Sequence, residues 1–373
     1  MPRPDTSPDR PLSVVVVGYG FGGRVFHAPL VAATPGLSLD AIVTADPVRR
    51  EQAAAAHPGA ALYSSVEEAW AGGHDLAAIS TANITHVPFT EAALAAGLDV
   101  VLDKPVAATA AQAQELGALA ADRGRLLVPF QNRRWDSDIR TAVRVARSGA
   151  IGEVHRFESR IAKMRTVLKD GWRGSPVPED MGGMLYDLGV HVVDQAVQLM
   201  GPVASVACWA RSIRPSDPTD DDTTIVLTHT SGALSILSVG QVQAFTEPRM
   251  LLLGTRGGLR IDAADDQEPD MLAGLDPASD AWGVRRPGTE AVLRTVDDSD
   301  AVTESRVPLE RGAWTAFYPA VEQAVRGLGP APVDIADAVA DARILDAARL
   351  ASQTGVVVTL DPPAAHQIGR AHV

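Results

Sequence analysis

The feature that most constrains the fold is the valine run Val14–Val17, which leads directly into the glycine pattern Gly18-Tyr19-Gly20-Phe21-Gly22-Gly23. A short apolar run is typical of a buried strand, and G-x-G-x-x-G after it is typical of a turn into a helix. Gly18 permits the tight turn, Gly20 lets the backbone approach a pyrophosphate, and Gly23 lets the helix pack closely on the strand. Because free amides at a helix start attract anions, the pattern predicts a dinucleotide-binding loop.

Length and composition predict a two-domain globular protein. The 373 residues exceed the usual size of a single core. Hydrophobic residues make up 46% and charged residues 21%, and no apolar run approaches the roughly 18 residues of a membrane span. We predict a disordered tail over 1–11, a nucleotide-binding domain over 12–150, a substrate-binding and oligomerisation domain over 151–360, and a disordered tail of foreign composition over 361–373.

Charge and cysteine content exclude several function classes. A net charge of −13 argues against nucleic-acid binding. Residues 1–11 lack the apolar block of a secretory signal, so we expect a cytoplasmic protein without a membrane partner. Cys208 is the only cysteine, which excludes an intrachain disulfide and a cysteine-based zinc site. Its apolar neighbours favour a packed thiol over a nucleophile.

Residues 12–150 alternate between short β-rich runs and alanine-rich runs of helical period. This alternation is typical of βαβ units and predicts an α/β Rossmann fold with a doubly wound parallel sheet. The predicted strands are Val14–Val17, Leu39–Thr44, Leu76–Ser80, Val100–Leu102 and Leu126–Val128. The predicted helices are Val25–Ala33, Pro47–Ala56, Val66–Trp70, Val87–Ala96 and Ala111–Arg123. Ser65 and Glu68 have capping-box spacing, and Gly97 and Gly124 stand where helices should end.

Beyond Gly152 longer runs of strand-like composition predict an α+β domain with an open, mostly antiparallel sheet. These runs are Glu153–Ile161, Val203–Ile213, Thr223–Thr230, Ala233–Gln243 and Arg249–Gly254. One helix is predicted between them, over Leu185–Met200. Asp262–Val307, rich in Asp, Gly and Pro, is interpreted as an excursion from the sheet. Trp314–Arg326 and Asp334–Ser352 have helical period, and we expect these helices to pack back on the first domain.

Further patches add to the glycine pattern. They are Val25–Leu30, Ser80–His86, Ala95–Pro105, Gln131–Asp136 and Gly183–Gln195. On these residues the chain resembles the Gfo/Idh/MocA oxidoreductases along nearly its whole length. Within that family it looks most like the NADP-dependent scyllo-inositol dehydrogenase branch, on Asn132–Asp136, Tyr186–His191 and Asp266–Glu268 with Trp282–Gly283.

Lys104, Asp187 and His191 suit the chemistry of alcohol oxidation. Removing a hydroxyl proton while hydride leaves the carbon requires a base and a group that holds the oxygen. Asp187 and His191 have i, i+4 spacing, which predicts one helix face, and Lys104 follows a strand at the ligand-binding edge of the parallel sheet. The resemblance implies that Lys104 orients the alcohol, His191 is the acid/base and Asp187 supports it. A surface lysine and a helix-face ion pair are the alternatives. Asp194 completes an apparent metal-ligand spacing, but no second ligand-rich segment exists and we expect no metal.

The resemblance also implies the residues that bind the cofactor and the substrate. Beside the glycine loop with Phe21 and Gly22, the cofactor-binding residues are Thr81, Asn83, His86, Asp103, Lys104 and Asn132. The substrate-binding residues are Arg133, Trp135, Arg165 and Trp172, together with Lys104, Asp187 and His191. Asn83 and His86 can instead begin a helix, and residues 132–135 can form a solvated loop, whereas polar side chains beside an aromatic wall favour a sugar.

The choice of cofactor depends on the end of the second predicted strand. An acid there accepts both ribose hydroxyls of NAD and repels the 2′-phosphate of NADP. Thr44 occupies this position in the alignment that we prefer, with Arg49 or Arg50 available to neutralise a phosphate. A shifted alignment places Asp46 there and favours NAD, and Ala45 stands where the branch has an arginine. We expect NADP, with NAD possible.

These inferences combine into one hypothesis with two rivals. We expect an NAD(P)-dependent dehydrogenase that transfers hydride between a cyclitol or sugar secondary alcohol and nicotinamide, as a homo-dimer or homo-tetramer by analogy. One rival is a non-catalytic sugar sensor that binds dinucleotide. The other is a glycosidase that oxidises a sugar transiently to ease elimination and then reduces it back.

Overall fold

The computed structural model describes residues 10–165, 172–214, 218–245 and 247–361, with only the backbone of Trp172. Contacts divide the chain into two compact units. The first runs to Asn132 and includes Glu268–Trp282 and Trp314–Val339; the second comprises Arg133–Gln267, Gly283–Ala313 and the chain from Ala340. Of the two predicted tails, residues 1–9 and 362–373 lie outside the described residues. Arg10, which is described, donates two hydrogen bonds to Asp75 at 2.7 and 2.9 Å.

The first unit contains a six-stranded sheet in which every neighbouring pair is parallel. Its strands are β1 (Leu12–Val17), β2 (Leu37–Val43), β3 (Ala61–Tyr63), β4 (Leu76–Ile79), β5 (Asp99–Leu102) and β6 (Leu127–Pro129). The order β3-β2-β1-β4-β5-β6 reverses direction at β1, so the carboxyl ends of β1 and β4 are neighbours. Doubly wound sheets bind ligands at this point. The predicted Rossmann sheet is confirmed, although the short β3 is not among the predicted strands.

The helices of this sheet begin and end close to their predicted positions. The helix after β1 is π-helical over Gly23–His27 and continues as α1 (Ala28–Ala32). It is followed by α2 (Pro47–Ala56), α3 (Val66–Ala71), α4 (His86–Ala96) and α5 (Ala110–Asp122). Before α3, the Glu68 amide donates to Ser65 Oγ at 3.4 Å and the Glu68 carboxylate accepts from the Ser64 amide at 2.8 Å. Gly97 follows α4 with φ +87°, a conformation that favours glycine.

The second unit contains a nine-stranded sheet. Its helices are α6 (Ser137–Arg147), α7 (Met184–Asp187) and α8 (Gly189–Met200), and its strands are β7 (Val154–Ala162), β8 (Val203–Arg211), β9 (Asp222–His229), β10 (Leu234–Gly240), β11 (Met250–Gly254), β12 (Gly257–Ile261), β13 (Glu290–Val296), β14 (Val302–Pro308) and β15 (Val358–Thr359). The order is β14-β13-β12-β11-β7-β10-β9-β8-β15, and only the pair β7 and β10 is parallel. The predicted open, mostly antiparallel sheet is confirmed.

Two predictions for the second unit are wrong. The single helix predicted over Leu185–Met200 is interrupted at Leu188, so α7 ends at Asp187 and α8 begins at Gly189. The predicted excursion over Asp262–Val307 contains β13 and β14, which extend the sheet. β14 is an edge strand whose residues are almost all exposed, so it lacks the apolar alternation that identifies a half-buried strand.

The remaining helices are α9 (Gln267–Leu272), α10 (Phe317–Val325) and α11 (Ile335–Thr354), and the 3₁₀ turns are Asn83–Thr85, Asn132–Trp135, Trp172–Gly174, Pro178–Asp180 and Trp314–Ala316. α10 packs in the first unit, where the Phe317 ring meets Phe130 edge to face at 4.9 Å. α6 belongs to the second unit, because its buried Asp138 pairs with Arg249 at 2.9 Å. Among the described residues, no helix combines the length and apolar character needed to cross a bilayer.

A buried ion pair links the segment before α6 to α8. Arg134 Nε lies 3.1 and 3.0 Å from the two carboxylate oxygens of Asp194, and Arg134 Nη2 lies 2.5 Å from Oδ1. Both side chains are 3% exposed. Bidentate hydrogen bonds between a guanidinium and a carboxylate are strong. Asp194 therefore stabilises the second unit.

We expect Asp194→Asn to lower the free energy of unfolding by ~3–5 kcal/mol, because it leaves a buried guanidinium without its counter-charge. Urea denaturation followed by circular dichroism measures this change. The matched control is Glu304→Gln, which breaks an exposed pair with Arg294 and should leave the midpoint unchanged. Equal midpoints for the two variants would contradict a stabilising role for Asp194.

Candidate active site

Two glycines of the fingerprint, Gly18 and Gly23, are required by contacts with backbone atoms, and a third, Gly22, faces side-chain atoms. Gly18 has φ +96°, and a Cβ there would lie 2.4 Å from the carbonyl oxygen of Ser80. A Cβ at Gly22 would lie 2.3 Å from Ser80 Oγ, and one at Gly23 would lie 1.8 Å from the carbonyl oxygen of Gly18. The turn, the end of β4 and the helix are therefore in contact at distances that only glycine permits.

Gly20 differs from its neighbours. The nearest atom to a Cβ built there, among the described residues, is Arg49 Nη1 at 3.8 Å. Internal packing therefore does not require glycine at this position. Close approach of a pyrophosphate to the backbone does require it, so the loop fits a dinucleotide.

The helix after the fingerprint starts with an unusual turn. Its π-helical segment, Gly23–His27, stands directly behind the glycine loop, and such segments are frequent at functional sites. Phe21 is 40% exposed and packs edge to face on Phe26 with ring centroids 5.3 Å apart. Phe21 thus presents an accessible aromatic surface on the predicted cofactor-binding loop.

The polar residues that follow β2 make different contacts. Thr44 follows the last residue of β2 directly and is 7% exposed. Asp46 is the N-cap of α2, and its Oδ1 accepts from the Arg49 amide at 3.0 Å. Arg50 donates to the carbonyls of Tyr63 and Leu62 at 3.0 and 3.2 Å, so it ties α2 to β3. Arg49 is half exposed and approaches the glycine loop, and its Nε lies 3.8 Å from Asp46 Oδ2.

The predicted residues after β4 form a compact, hydrogen-bonded segment. Thr81 Oγ1 and Thr85 Oγ1 lie 2.6 Å apart, and Asn83 is 4% exposed at the start of a 3₁₀ turn. His86 begins α4 and is 1% exposed, and its Nδ1 lies 2.7 Å from the carbonyl oxygen of Pro105. Burial lowers the pKa of His86 below its ordinary value, so the ring is neutral at pH 7 and links the ends of β4 and β5.

Asp103 and Lys104 follow β5 at the same edge of the sheet. Asp103 Oδ1 accepts from the Lys104 amide and its Oδ2 accepts from the Ser80 hydroxyl, both at 2.9 Å. Burial raises the pKa of Asp103, but the imidazole of His27, with Lys104 and His86, outweighs it and holds the pKa well below its ordinary value. Asp103 is therefore an anion that anchors the backbone of Lys104.

The predicted acid/base residues lie in the second unit on separate helices. Asp187 is the last residue of α7, and its Oδ2 accepts from Arg173 Nε at 3.0 Å. His191 is the third residue of α8 and is 4% exposed. The break at Leu188 means that the i, i+4 argument for one continuous helix face does not apply. α7, which carries Asp187, is anchored by a hydrogen bond in which the Leu185 amide donates to Asp220 Oδ2 at 2.8 Å.

The segment Asn132–Trp135 forms a 3₁₀ turn rather than an open loop. Asn132, 5% exposed, ends the first unit. In the second unit, Arg133 Nη1 donates to Asp136 at 3.2 Å, and the Arg133 carbonyl accepts from Gln195 Nε2 at 3.3 Å. Trp135 is 9% exposed, and its carbonyl accepts from the Ala313 amide at 2.9 Å. Arg133 keeps more accessible surface than the tryptophan.

Two further predicted substrate residues follow β7. The backbone of Arg165 makes two hydrogen bonds: its amide donates to the Gln241 carbonyl at 2.9 Å, and its carbonyl accepts from the side-chain Nη1 of Arg214 at 2.9 Å. Trp172 begins a 3₁₀ turn, and its side chain lies outside the described residues. Within the described parts of the chain, no group of three or more His, Cys, Asp and Glu residues could hold a metal ion.

Sequence reasoning did not predict several of the pairings. Arg173 pairs with Asp187, Ser80 bonds Asp103, and His27 lies 3.6 Å from Asp103. Arg173 and Ser80 lie next to predicted site residues in the sequence, but no sequence spacing indicates which side chains they pair with. His27 is part of the Val25–Leu30 patch, which gives its position and no role.

Comparisons with known proteins place the chain in a family. A family model described as the oxidoreductase family with an NAD-binding Rossmann fold matches residues 12–130. The model of the GFO/IDH/MocA C-terminal domain matches residues 139–260. The uncharacterized oxidoreductase YdgJ of Escherichia coli is 34% identical over 88% of this chain and 92% of its own length.

Two more relatives cover nearly the whole chain. The scyllo-inositol 2-dehydrogenase (NADP(+)) IolW of Bacillus subtilis is 28% identical over 94% of this chain and 96% of its own. The solved structure of YvaA from Bacillus subtilis matches with a TM-score of 0.89 at 27% identity, and covers 94% of this chain and 99% of its own. The similarity therefore extends over both units.

We expect Gly20→Ala and Gly23→Ala to separate ligand binding from folding. Gly23→Ala forces a methyl group into a backbone carbonyl and should cost ~1–3 kcal/mol of stability. Gly20→Ala should keep the wild-type melting temperature but weaken dinucleotide binding about tenfold, because the methyl group displaces the pyrophosphate from backbone donors. Thermal denaturation and titration of reduced-nicotinamide fluorescence measure the two effects. If Gly20→Ala lost stability as Gly23→Ala does, packing would explain both glycines.

Proposed function

Because the chain is an NAD(P)-dependent oxidoreductase of the Gfo/Idh/MocA family, we propose that it oxidises a secondary alcohol of a cyclitol or sugar and uses NADP. The carbinol carbon loses a hydride and its hydroxyl group loses a proton, so the product is a ketone, or a lactone where the carbon is the anomeric carbon of an aldose. A nicotinamide bound at the glycine loop would supply the hydride acceptor, and the hydride donor in the reverse direction. A cytoplasmic homo-oligomer, expected from the sequence, is part of the proposal.

The observation that carries the proposal is the position of Lys104. It stands two residues after β5, at the edge where the glycine fingerprint leaves room for a dinucleotide, and its backbone is anchored by Asp103. An ammonium group there donates to the alcohol oxygen and stabilises the alkoxide character that develops as hydride leaves. We assign Lys104 this role.

His191 is the proposed base and Asp187 its support. Asp187 bonds Arg173, which stabilises its carboxylate form and commits Oδ2. An imidazole titrates near neutral pH and is therefore the better proton acceptor of the two. His191 takes the hydroxyl proton, and Asp187 stabilises the imidazolium that results.

The preference for NADP rests on three side chains. Thr44 occupies the position after β2 where NAD enzymes have an acid. Asp46, the competing candidate, caps α2 through Oδ1 and stands two residues farther along. Arg49 supplies a positive charge near the glycine loop for a 2′-phosphate, and the name of IolW, with its NADP specificity, points the same way.

The sugar-like substrate is supported by polar side chains and by one relative. Arg133 keeps 19% of its side chain exposed, so part of this polar side chain is accessible to a substrate. IolW acts on scyllo-inositol by its name. We propose that Arg133, Trp135, Arg165 and Trp172 contact the substrate.

We expect purified protein to reduce NADP⁺ with scyllo-inositol, myo-inositol or an aldose from a polyol panel. His191→Asn should lower kcat about 10²–10⁴-fold, because the general base is lost. His155→Asn, on an exposed histidine of β7, is the matched control and should keep wild-type kcat. Absorbance at the wavelength of reduced nicotinamide measures turnover. Bound cofactor without turnover would favour a sensor, and glycoside cleavage without net reduction would favour the transient-redox glycosidase.

We expect Thr44→Asp to reverse the cofactor preference toward NAD, since a carboxylate repels the 2′-phosphate and accepts the ribose hydroxyls. Arg49→Gln should raise KM for NADP about tenfold and leave KM for NAD nearly unchanged. Initial rates with both cofactors measure the two ratios. Equal losses for NAD and NADP in Arg49→Gln would contradict a phosphate contact.

A further inference from the structure

Three polar side chains of the first unit form a row that the proposed chemistry does not use directly. Tyr318 Oη and His27 Nδ1 lie 2.6 Å apart. The other ring nitrogen of His27, Nε2, lies 3.6 Å from Asp103 Oδ2. His27 is fully buried and Tyr318 is 1% exposed, so water does not compete for these contacts.

Tyr318 determines which nitrogen of His27 carries the proton. Burial, with the nearby Asp103 carboxylate, raises the pKa of Tyr318 well above its ordinary value, so its hydroxyl keeps its proton. A hydroxyl that donates to Nδ1 leaves the ring proton on Nε2, directed at Asp103. The other tautomer would turn the Nε2 lone pair toward a carboxylate, which is repulsive. Among the described residues, Nε2 has no hydrogen-bond partner of ordinary length, and Asp103 Oδ2 at 3.6 Å lies just beyond that length.

Asp103 connects this row to the predicted active site. Its Oδ1 holds the Lys104 amide and its Oδ2 accepts from the Ser80 hydroxyl, each at 2.9 Å. A Cβ at Gly22 would lie 2.8 Å from the same Oδ2. The carboxylate therefore touches the end of β4, the start of the fingerprint helix and the backbone of Lys104.

We propose that His27 and Tyr318 are positioning residues for Lys104 and act through Asp103. The Nε2 proton attracts Oδ2 and prevents rotation of the carboxylate, so that Oδ1 stays on the Lys104 amide. The inference rests on the proposed function, in which Lys104 holds the alcohol oxygen. Because the glycine loop supplies the main contact with the dinucleotide, a displaced Lys104 would slow the chemical step far more than it would weaken dinucleotide binding.

Two substitutions at His27 separate the roles of its nitrogens. In His27→Gln the amide nitrogen reaches the position of Nε2 and keeps a donor toward Asp103, whereas in His27→Asn it reaches only the position of Nδ1. We expect His27→Asn to lower kcat about tenfold or more on the best polyol of the panel, with the Kd of NADPH unchanged, and His27→Gln to keep most of kcat.

The matched control is His74→Asn. His74 is 9% exposed and bonds Ser13 Oγ at 2.9 Å, but it precedes β4 at the opposite edge of the sheet. It should lower the melting temperature and leave kcat unchanged. Tyr318→Phe, which removes one oxygen atom, provides an independent test and should lower kcat in the same direction as His27→Asn without changing the Kd of NADPH.

A loss of kcat in His27→Asn that is absent from His27→Gln and His74→Asn supports the proposal. Equal kcat in the two His27 variants overturns it, as does a loss that appears in the Kd of NADPH instead. If both His27 variants fail to fold, Tyr318→Phe decides: reduced kcat supports the proposal and wild-type kcat overturns it. A wild-type protein without turnover overturns the proposed function and this inference together.

Discussion

The first unit depends on how closely one helix approaches the end of one strand. The carbonyl oxygen of Gly18 occupies the space where a side chain of Gly23 would begin, and the carbonyl of Ser80 does the same for Gly18. These contacts bring the helix start against the ends of β1 and β4. Ser80 and Asp103 can then reach Gly22, and Lys104 follows Asp103 in the chain. Backbone contacts thus determine where the side chains at this edge of the sheet are placed.

Much of the fold could be predicted from the sequence, because buried parallel strands are continuous apolar runs and their helices have clear ends. Val14–Val17 and Leu76–Ile79 are fully buried, and Ser65, Gly97 and Gly124 mark helix ends as their chemistry requires. β14 could not be predicted, since an exposed edge strand needs no apolar face. The break at Leu188 was hidden because the apolar period continues through it.

The site was predictable by residue type and position, but not by partnership. Asp103 and Lys104 were expected at a strand end, and the structure places them there. Spacing could not reveal that Arg173 pairs with Asp187, or that Tyr318 bonds a histidine from the other end of the chain. Nor could it distinguish Arg49 from Arg50, which are adjacent in sequence. Arg50 donates to backbone carbonyls of β3, and the sequence alone does not show where β3 lies.

The central strand of the larger sheet has a consequence for the order of assembly. β7 is made before both of its neighbours, and its partner β10 is separated from it by two helices and two strands. During synthesis on a ribosome, β8, β9 and β10 can pair with one another as soon as they emerge. Until β10 and β11 are made, both edges of β7 are unpaired. Closure of long-range pairs of this kind is slow. The nascent protein therefore passes through a stage in which the central strand of this sheet is complete but both of its neighbouring strands are still missing.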